Sequence, residues 1–85
     1  CCTVIGPGTI GFNAGHIWGV DNTNPESTSA ALVLGRKMAR QYRDALAEFC
    51  PEAFASSFLV ATGSQVGIRE TRRIVGDYVL TLDDY

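Results

Sequence analysis

Apolar residues recur at helical spacing through the middle of the chain. Asn24 is a residue type that caps helices, Pro25 suits a first helical turn, and Pro51 ends the pattern. Between the two prolines, apolar residues three or four apart form one stripe: Ala31, Leu34, Met38, Tyr42, Ala45 and Phe49. The pattern predicts one long amphipathic helix over residues 25–49.

Bulky and small side chains alternate over residues 9–20. In an extended chain one face would hold Ile10, Phe12, Ala14, His16, Trp18 and Val20, and the bare face would include Gly11, Gly15 and Gly19. The alternation predicts a strand whose bare face lets another backbone or a flat ligand approach closely. An irregular, loop-rich strand is the open alternative.

Two further strands are predicted after the helix. Residues 57–62 form a short apolar run, and residues 74–80 are rich in β-branched and aromatic residues, with Gly76 as a bulge. Residues 66–73 do not alternate, which leaves an extended chain or a single helical turn open. The predicted fold class is α+β, with a strand region, one long amphipathic helix and then two strands in a single segment of residues 1–85.

The composition is that of a folded domain. The chain has 85 residues, of which 46% are hydrophobic, and it contains 9 Gly and 3 Pro. A domain of this length buries only roughly 60–65% of the surface that its unfolded chain exposes. It is therefore too small to be a complete enzyme around a large cofactor. The net charge of -2 gives no overall field that attracts nucleic acid, so no nucleic-acid partner is expected.

The first twenty residues are uncharged, because all 7 Lys and Arg and all 9 Asp and Glu lie at Asp21 or beyond it. Glycines and the polar residues Asn13 and His16 interrupt this stretch, so no membrane span is expected. The stretch also lacks the basic start of a secretory signal.

The number and spacing of the cysteines indicate the cellular compartment of the protein. Cys1, Cys2 and Cys50 are odd in number and include an adjacent pair, so they show neither a disulfide framework nor a zinc spacing. With a single histidine in the chain, no metal site is expected. This cysteine usage favours a reducing, cytoplasmic location.

Residues 6–11 fit the pattern G-x-G-x-x-G, and Glu26 lies twenty residues beyond Gly6. A dinucleotide-binding turn needs a helix directly after it, whose N-terminus holds the pyrophosphate. Residues 12–19 contain more glycines and would make a poor helix. A plain glycine-rich turn is therefore favoured, and the dinucleotide turn remains a third hypothesis.

Two groups of side chains could carry chemistry. Arg69, Arg72 and Arg73 surround Glu70, and guanidinium groups bind carboxylates or phosphates bidentately, so the cluster could act as an anion clamp. The alternative, favoured by the residues alone, is an internal ion pair such as Glu70 with Arg73. His16 could act as a general acid or base or hydrogen-bond a bound ring, but a histidine among aromatic residues is more often a core residue. No catalytic residue is assigned.

Both ends of the sequence favour a piece of a longer protein. Thr81-Leu82-Asp83-Asp84 has the Ser/Thr-x-x-Asp/Glu form that opens a helix, and only Tyr85 follows it. The sequence also begins with Cys1 rather than an initiator methionine. We therefore expect an incomplete domain.

Two stretches carry a family resemblance. The sequence GIRETRRIVGDYVLT over residues 67–81 resembles the GIRE(S/T)RRI-x-G-(D/E)-Y-x-L-T segment of bacterial FAD-dependent oxidoreductases of the glutathione-reductase-like flavoprotein superfamily. GHIWGVDNTNPES over residues 15–27, followed by the predicted helix and CPEAF over residues 50–54, resembles the upstream stretch of the same family in the same order. Together they cover about residues 10–85.

The resemblance implies an internal fragment of the substrate-side domain of a larger flavoprotein. It implies FAD as the cofactor of the intact protein, with a small-molecule substrate and the remainder of the flavoprotein as partners. By position in the matched stretches, Arg69 and Arg72 would contact the flavin or an anionic substrate. His16 and Trp18 would lie on the substrate side of the isoalloxazine ring.

Two expectations follow for the chain by itself. The 85-residue chain alone should be inactive and hold no FAD, although the intact protein would be an FAD-dependent oxidoreductase. The rival hypothesis is a non-catalytic interaction module, which packs its helix and glycine-rich strand against a partner chain.

Overall fold

The structure is a computed structural model and describes residues 2–85; the first of the three cysteines lies outside the described residues. Strands β1 (Cys2–Gly6) and β2 (Thr9–Phe12) are followed by helix α1 (Pro25–Phe49) and by the short helix α2 (Pro51–Phe54). One 3₁₀ turn, Leu82–Asp84, lies near the end of the sequence. The predicted α+β class agrees with this arrangement.

Strands β1 and β2 form an antiparallel hairpin. Pro7 and Gly8 connect them, and Gly8 has a φ of 69°, which suits the second central position of a tight turn with proline at the first. Thr3 pairs with Gly11 and Val4 with Ile10, and a bulge then shifts the register. The dinucleotide-turn hypothesis for residues 6–11 is therefore wrong, because a strand and not a helix follows the glycines.

Helix α1 has the bounds that its periodicity predicts. The Asn24 side-chain oxygen accepts a hydrogen bond from the Glu26 backbone N–H at 2.9 Å, and Pro25 occupies the first turn, where no donor is needed. At the other end the Cys50 N–H donates to the Leu46 carbonyl at 2.9 Å. Local signals of this kind set where the helix begins and where it ends.

The predicted strand over residues 9–20 is shorter in the structure and ends at Phe12. Gly15 and Gly19 have φ values of 88° and 72°, which break an extended chain. The segment lies along α1 instead. A Cβ placed on Gly15 would be 3.3 Å from a ring carbon of Tyr42, and one placed on Gly35 would be 3.5 Å from Ile17. The bare glycine positions therefore do permit a close approach at Gly15, and the neighbour is the helix.

No strand forms over residues 57–62 or 74–80, in contrast to the sequence prediction. A strand needs a neighbour that accepts and donates its backbone hydrogen bonds, and the sheet in the described part of the chain contains β1 and β2 alone. Residues 66–73 are neither a strand nor a helical turn. The Ile68 N–H donates to the Val66 carbonyl at 2.9 Å, which closes a three-residue turn.

Very little of this chain is enclosed. Among residues 2–85, Ala31 on α1 is the one buried hydrophobic residue, at 4% exposure. The radius of gyration is 17.6 Å, whereas a compact domain of 85 residues would have about 12 Å. Phe12 of the hairpin and Phe54 of α2 do contact each other, with ring centroids 6.2 Å apart. Large apolar side chains therefore remain at the surface.

Candidate functional site

His16 and Trp18 lie side by side in the segment between the hairpin and α1. Their rings are stacked, with centroids 5.7 Å apart and an interplanar angle of 19°. Trp18 is 86% exposed, and His16 is exposed as well. The two side chains thus lie together, although residues 13–20 do not form the extended strand from which the shared face was predicted. They form an open aromatic surface, so the core interpretation of His16 is wrong.

The arginine segment, residues 68–73, lines a shallow concavity at the surface. Within it, Nη2 of Arg73 lies 2.7 Å from both carboxylate oxygens of Glu70. This hydrogen-bonded ion pair raises the pKa of Arg73. The internal ion pair considered for Glu70 and Arg73 is therefore confirmed. Arg73 already has a carboxylate partner, so it is the least available of the three arginines for an added anion.

Arg69 and Arg72 differ from Arg73. Both are exposed, and within residues 2–85 neither guanidinium forms a hydrogen bond or a direct ion pair. Arg72 lies close enough to Asp21 for its charge to help lower the pKa of that carboxyl group. Its charge is thus partly offset. The Arg69 guanidinium, by contrast, has no carboxylate partner in the described part of the chain.

A turn at Asp21 and Asn22 meets the arginine segment across 48 positions of sequence. The Asn22 side-chain amide donates a 2.9 Å hydrogen bond from Nδ2 to the Glu70 backbone carbonyl. The sequence does not predict this contact. An Asp-Asn-Thr-Asn run predicts a turn, but it does not indicate which residues the turn contacts. The turn also begins three residues after Trp18 in the chain. It therefore links the segment that carries the aromatic pair to the segment that carries the arginines.

Asp21 is held within its own turn. Its carboxylate oxygen Oδ1 accepts hydrogen bonds from the Thr23 hydroxyl at 2.7 Å and from the Thr23 N–H at 2.9 Å. These bonds, the hydroxyl first, are the main reason that the pKa of Asp21 lies below 3.8, and Arg72 adds a smaller charge effect. Asp21 is thus ionised at neutral pH, which keeps a negative charge beside the arginine segment.

The donors present fit an anionic group. A planar guanidinium without a protein partner, at the edge of a concavity, is suited to a phosphate or a carboxylate. The concavity is built from six consecutive residues. The described residues hold no cluster of three His, Cys, Asp or Glu that could bind a metal ion. Among these same residues, no helix has the length and apolar character needed to cross a membrane.

Comparison with known proteins identifies the family of this chain. No curated protein and no solved structure matches the chain. A family model described as FAD dependent oxidoreductase, however, matches residues 4–85, which include most of the hairpin, α1 and the arginine segment. The intact protein therefore uses FAD, and this chain belongs to the FAD-dependent oxidoreductase family.

Proposed function

We propose that this chain forms part of the substrate-side wall of a flavoenzyme and supplies an anion clamp, Arg69 and Arg72, near the flavin. The observation that carries the proposal is the exposed Arg69 guanidinium, which has no partner among residues 2–85 and lines a concavity in a chain of the FAD-dependent oxidoreductase family. The protein is further proposed to be a bacterial, cytoplasmic member of the glutathione-reductase-like superfamily.

The anion is either the pyrophosphate of FAD or a carboxylate of the substrate, since guanidinium groups bind both in the same way. The charge of Arg73 is neutralised by Glu70, and the charge of Arg72 interacts with that of Asp21. Arg69 is therefore the first contact and Arg72 the second. When bound, FAD supplies the electron-transfer chemistry, while the residues of this chain bind and orient the anionic group.

His16 and Trp18 are proposed to line the substrate side of the flavin. Their stacked, exposed rings present a flat apolar surface, which is suited to packing against a planar ring system. The ring nitrogens of His16 also offer a hydrogen-bond donor or acceptor to a substrate. Neither residue is assigned a catalytic step, because the described residues show no contact that fixes a reacting atom.

The exposed apolar surface supports placement inside a larger domain. Ile74 is 96% exposed and Val75 is 97% exposed, in a segment whose sequence pattern is that of a strand. Soluble proteins rarely leave continuous apolar surface open to water. The remainder of the flavoprotein is proposed to cover this surface and to supply the strand partners that residues 57–62 and 74–80 lack.

The anion clamp is tested by the substitution Arg69→Gln in the intact flavoprotein. Two binding constants are measured: that of FAD for the apoprotein, by quenching of flavin fluorescence, and that of benzoate for the holoprotein, by perturbation of the flavin absorbance. A lost charge-assisted hydrogen bond is worth about 1.5–3 kcal/mol. One of the two dissociation constants should therefore rise roughly tenfold or more.

The matched control is Arg36→Gln, which makes the same charge change at an exposed position of α1 outside the concavity. It should leave both dissociation constants unchanged. A rise for FAD identifies a flavin phosphate as the anion, and a rise for benzoate identifies a substrate carboxylate. If Arg69→Gln changes neither constant, the anion clamp is wrong.

A second candidate function is the non-catalytic interaction module, which the exposed apolar residues of α1 favour. Leu34 and Tyr42 lie on the predicted stripe and are 44% and 45% exposed. In this interpretation α1 and the glycine-rich residues 9–20 pack against a partner chain. It requires that Arg69→Gln have no effect on FAD or benzoate, so the same experiment separates the two functions.

A further inference from the structure

The turn that contains Asp21 and Asn22 is firmly anchored to helix α1. The Asp21 N–H donates to the Ser27 hydroxyl at 3.0 Å, and the Asn24 N–H donates to the Asp21 carbonyl at 3.1 Å. Asn24 itself caps the helix. The backbone on both sides of Asn22 is thus fixed relative to α1, and the Asn22 side chain extends from a rigid support.

The arginine segment has few such supports. It belongs to no helix or strand. The contacts within it and just before it are the turn from Val66 to Ile68 and the exposed Glu70–Arg73 pair. An exposed ion pair contributes little to holding a backbone in place. The hydrogen bond from Asn22 Nδ2 to the Glu70 carbonyl ties the middle of this segment to the α1 turn.

The position of this hydrogen bond matters for the arginines. Glu70 lies directly after Arg69 and two residues before Arg72. Fixing the Glu70 carbonyl therefore limits the orientation of the peptide unit between Glu70 and Thr71, which lies between the two arginines in the chain. Arg72 follows two residues later, close enough to Asp21 for its charge to help lower the pKa of that carboxyl group. One side-chain amide thus bears on both members of the anion clamp.

We infer that Asn22 is a positioning residue for the anion clamp, acting through the Glu70 backbone carbonyl and not by touching the ligand. The inference rests on the proposed function, because it names what orients Arg69 and Arg72 for the anion. The donor of the hydrogen bond is the Asn22 amide N–H, and a side chain without such a donor cannot replace it. Asparagine is thus required for its N–H as well as for its tolerance of turns.

The test compares Asn22→Ala with Asn22→Gln in the intact flavoprotein. Alanine removes the donor, whereas glutamine keeps an amide N–H on a longer side chain. Amide hydrogen exchange is followed over residues 66–73, together with the FAD and benzoate dissociation constants. A typical hydrogen bond corresponds to a factor of about 2–10 in an equilibrium. Asn22→Ala should speed exchange of the Ile68 N–H, the hydrogen-bonded amide among these residues, and raise the dissociation constant that Arg69→Gln raises, each by about that factor.

The conservative variant and a double variant separate positioning from a merely structural role. Asn22→Gln should recover part of both effects. In an Arg69→Gln background, Asn22→Ala should still speed exchange but add little to the loss of affinity, because the guanidinium that it orients is gone.

Two results would overturn the inference. One is unchanged exchange over residues 66–73 in Asn22→Ala; the other is faster exchange with unchanged affinity while Arg69→Gln alone weakens binding. Failure of the proposed function looks different, since Arg69→Gln is then itself silent for both FAD and benzoate, and the positioning role is rejected with it.

Discussion

The part of the chain before residue 55 and the part after it carry similar apolar character but reach very different degrees of order. Residues 2–54 contain the hairpin, both α-helices and the buried Ala31. Residues 55–85 contain one 3₁₀ turn, and every residue there is exposed except for the half-buried Ser57 and Val66. Apolar composition alone therefore does not produce structure in this chain.

The difference lies in where each element finds its hydrogen-bond partners. A helix satisfies its backbone within itself, and a hairpin finds its partner a few residues away. The strand patterns over residues 57–62 and 74–80 need a partner from farther along a chain. The first region is thus encoded locally, whereas the second region requires contacts that the described residues do not provide.

The largest expected effect tests whether tertiary contacts hold the first region. Ala31→Asp places a carboxylate at a position that is 4% exposed, and we expect it to lower the free energy of unfolding by roughly 2–4 kcal/mol. The matched control is Val33→Asp, on the same helix at 69% exposure, which should cost about 1 kcal/mol or less. Urea denaturation followed by circular dichroism measures both. Equal losses would mean that α1 is held by its own hydrogen bonds and not by packing at Ala31.

Two glycine variants test the close approach to α1 of the segment between the hairpin and the helix, and we expect a smaller effect on stability from them. Gly15→Ala forces a φ of 88° on an alanine and places its Cβ 3.3 Å from the Tyr42 ring. Gly19→Ala meets similar strain, with a φ of 72°, but no atom lies within 4 Å of its Cβ. The strain alone costs about 1–2 kcal/mol. Gly15→Ala should therefore be the more destabilising variant in thermal unfolding, and equal losses would show that the contact with Tyr42 does not matter.

Some of the features that these variants test can be predicted from the sequence, and others cannot. The helix bounds follow from local rules of capping and periodicity. The end of the strand at Phe12 does not, because alternation gives no sign of which glycine adopts a positive φ. The contact from Asn22 to Glu70 could not be predicted at all, since it joins two irregular segments that lie 48 positions apart.

The smallest expected effect concerns the 3₁₀ turn of the second region, whose hydrogen bonds are all local. The Asp84 carboxylate accepts from the Thr81 N–H at 2.6 Å and from the Tyr78 hydroxyl at 2.5 Å. The bond from Thr81, followed by that from Tyr78, lowers the pKa of Asp84 from 3.8. Because the folded pKa is lowered, the stabilisation is present above about pH 3.8 and is lost as the pH falls through the folded value.

Tyr78 titrates with the opposite sign. Its hydrogen bond to Asp84 raises its pKa from 10.0, so the stabilisation is complete below pH 10.0 and is lost as the pH rises through the folded value. Asp84→Asn removes the charge, so the pKa of Tyr78 should fall back toward 10.0 in a carbon NMR titration of labelled tyrosine. Asp83→Asn, a neighbouring carboxylate outside this hydrogen bond, is the control and should leave the Tyr78 titration unchanged.

Neither variant should alter the helicity of α1, because the contacts of this turn span at most six residues. A loss of helicity in Asp84→Asn would show that the two regions are coupled and that the division between them is wrong.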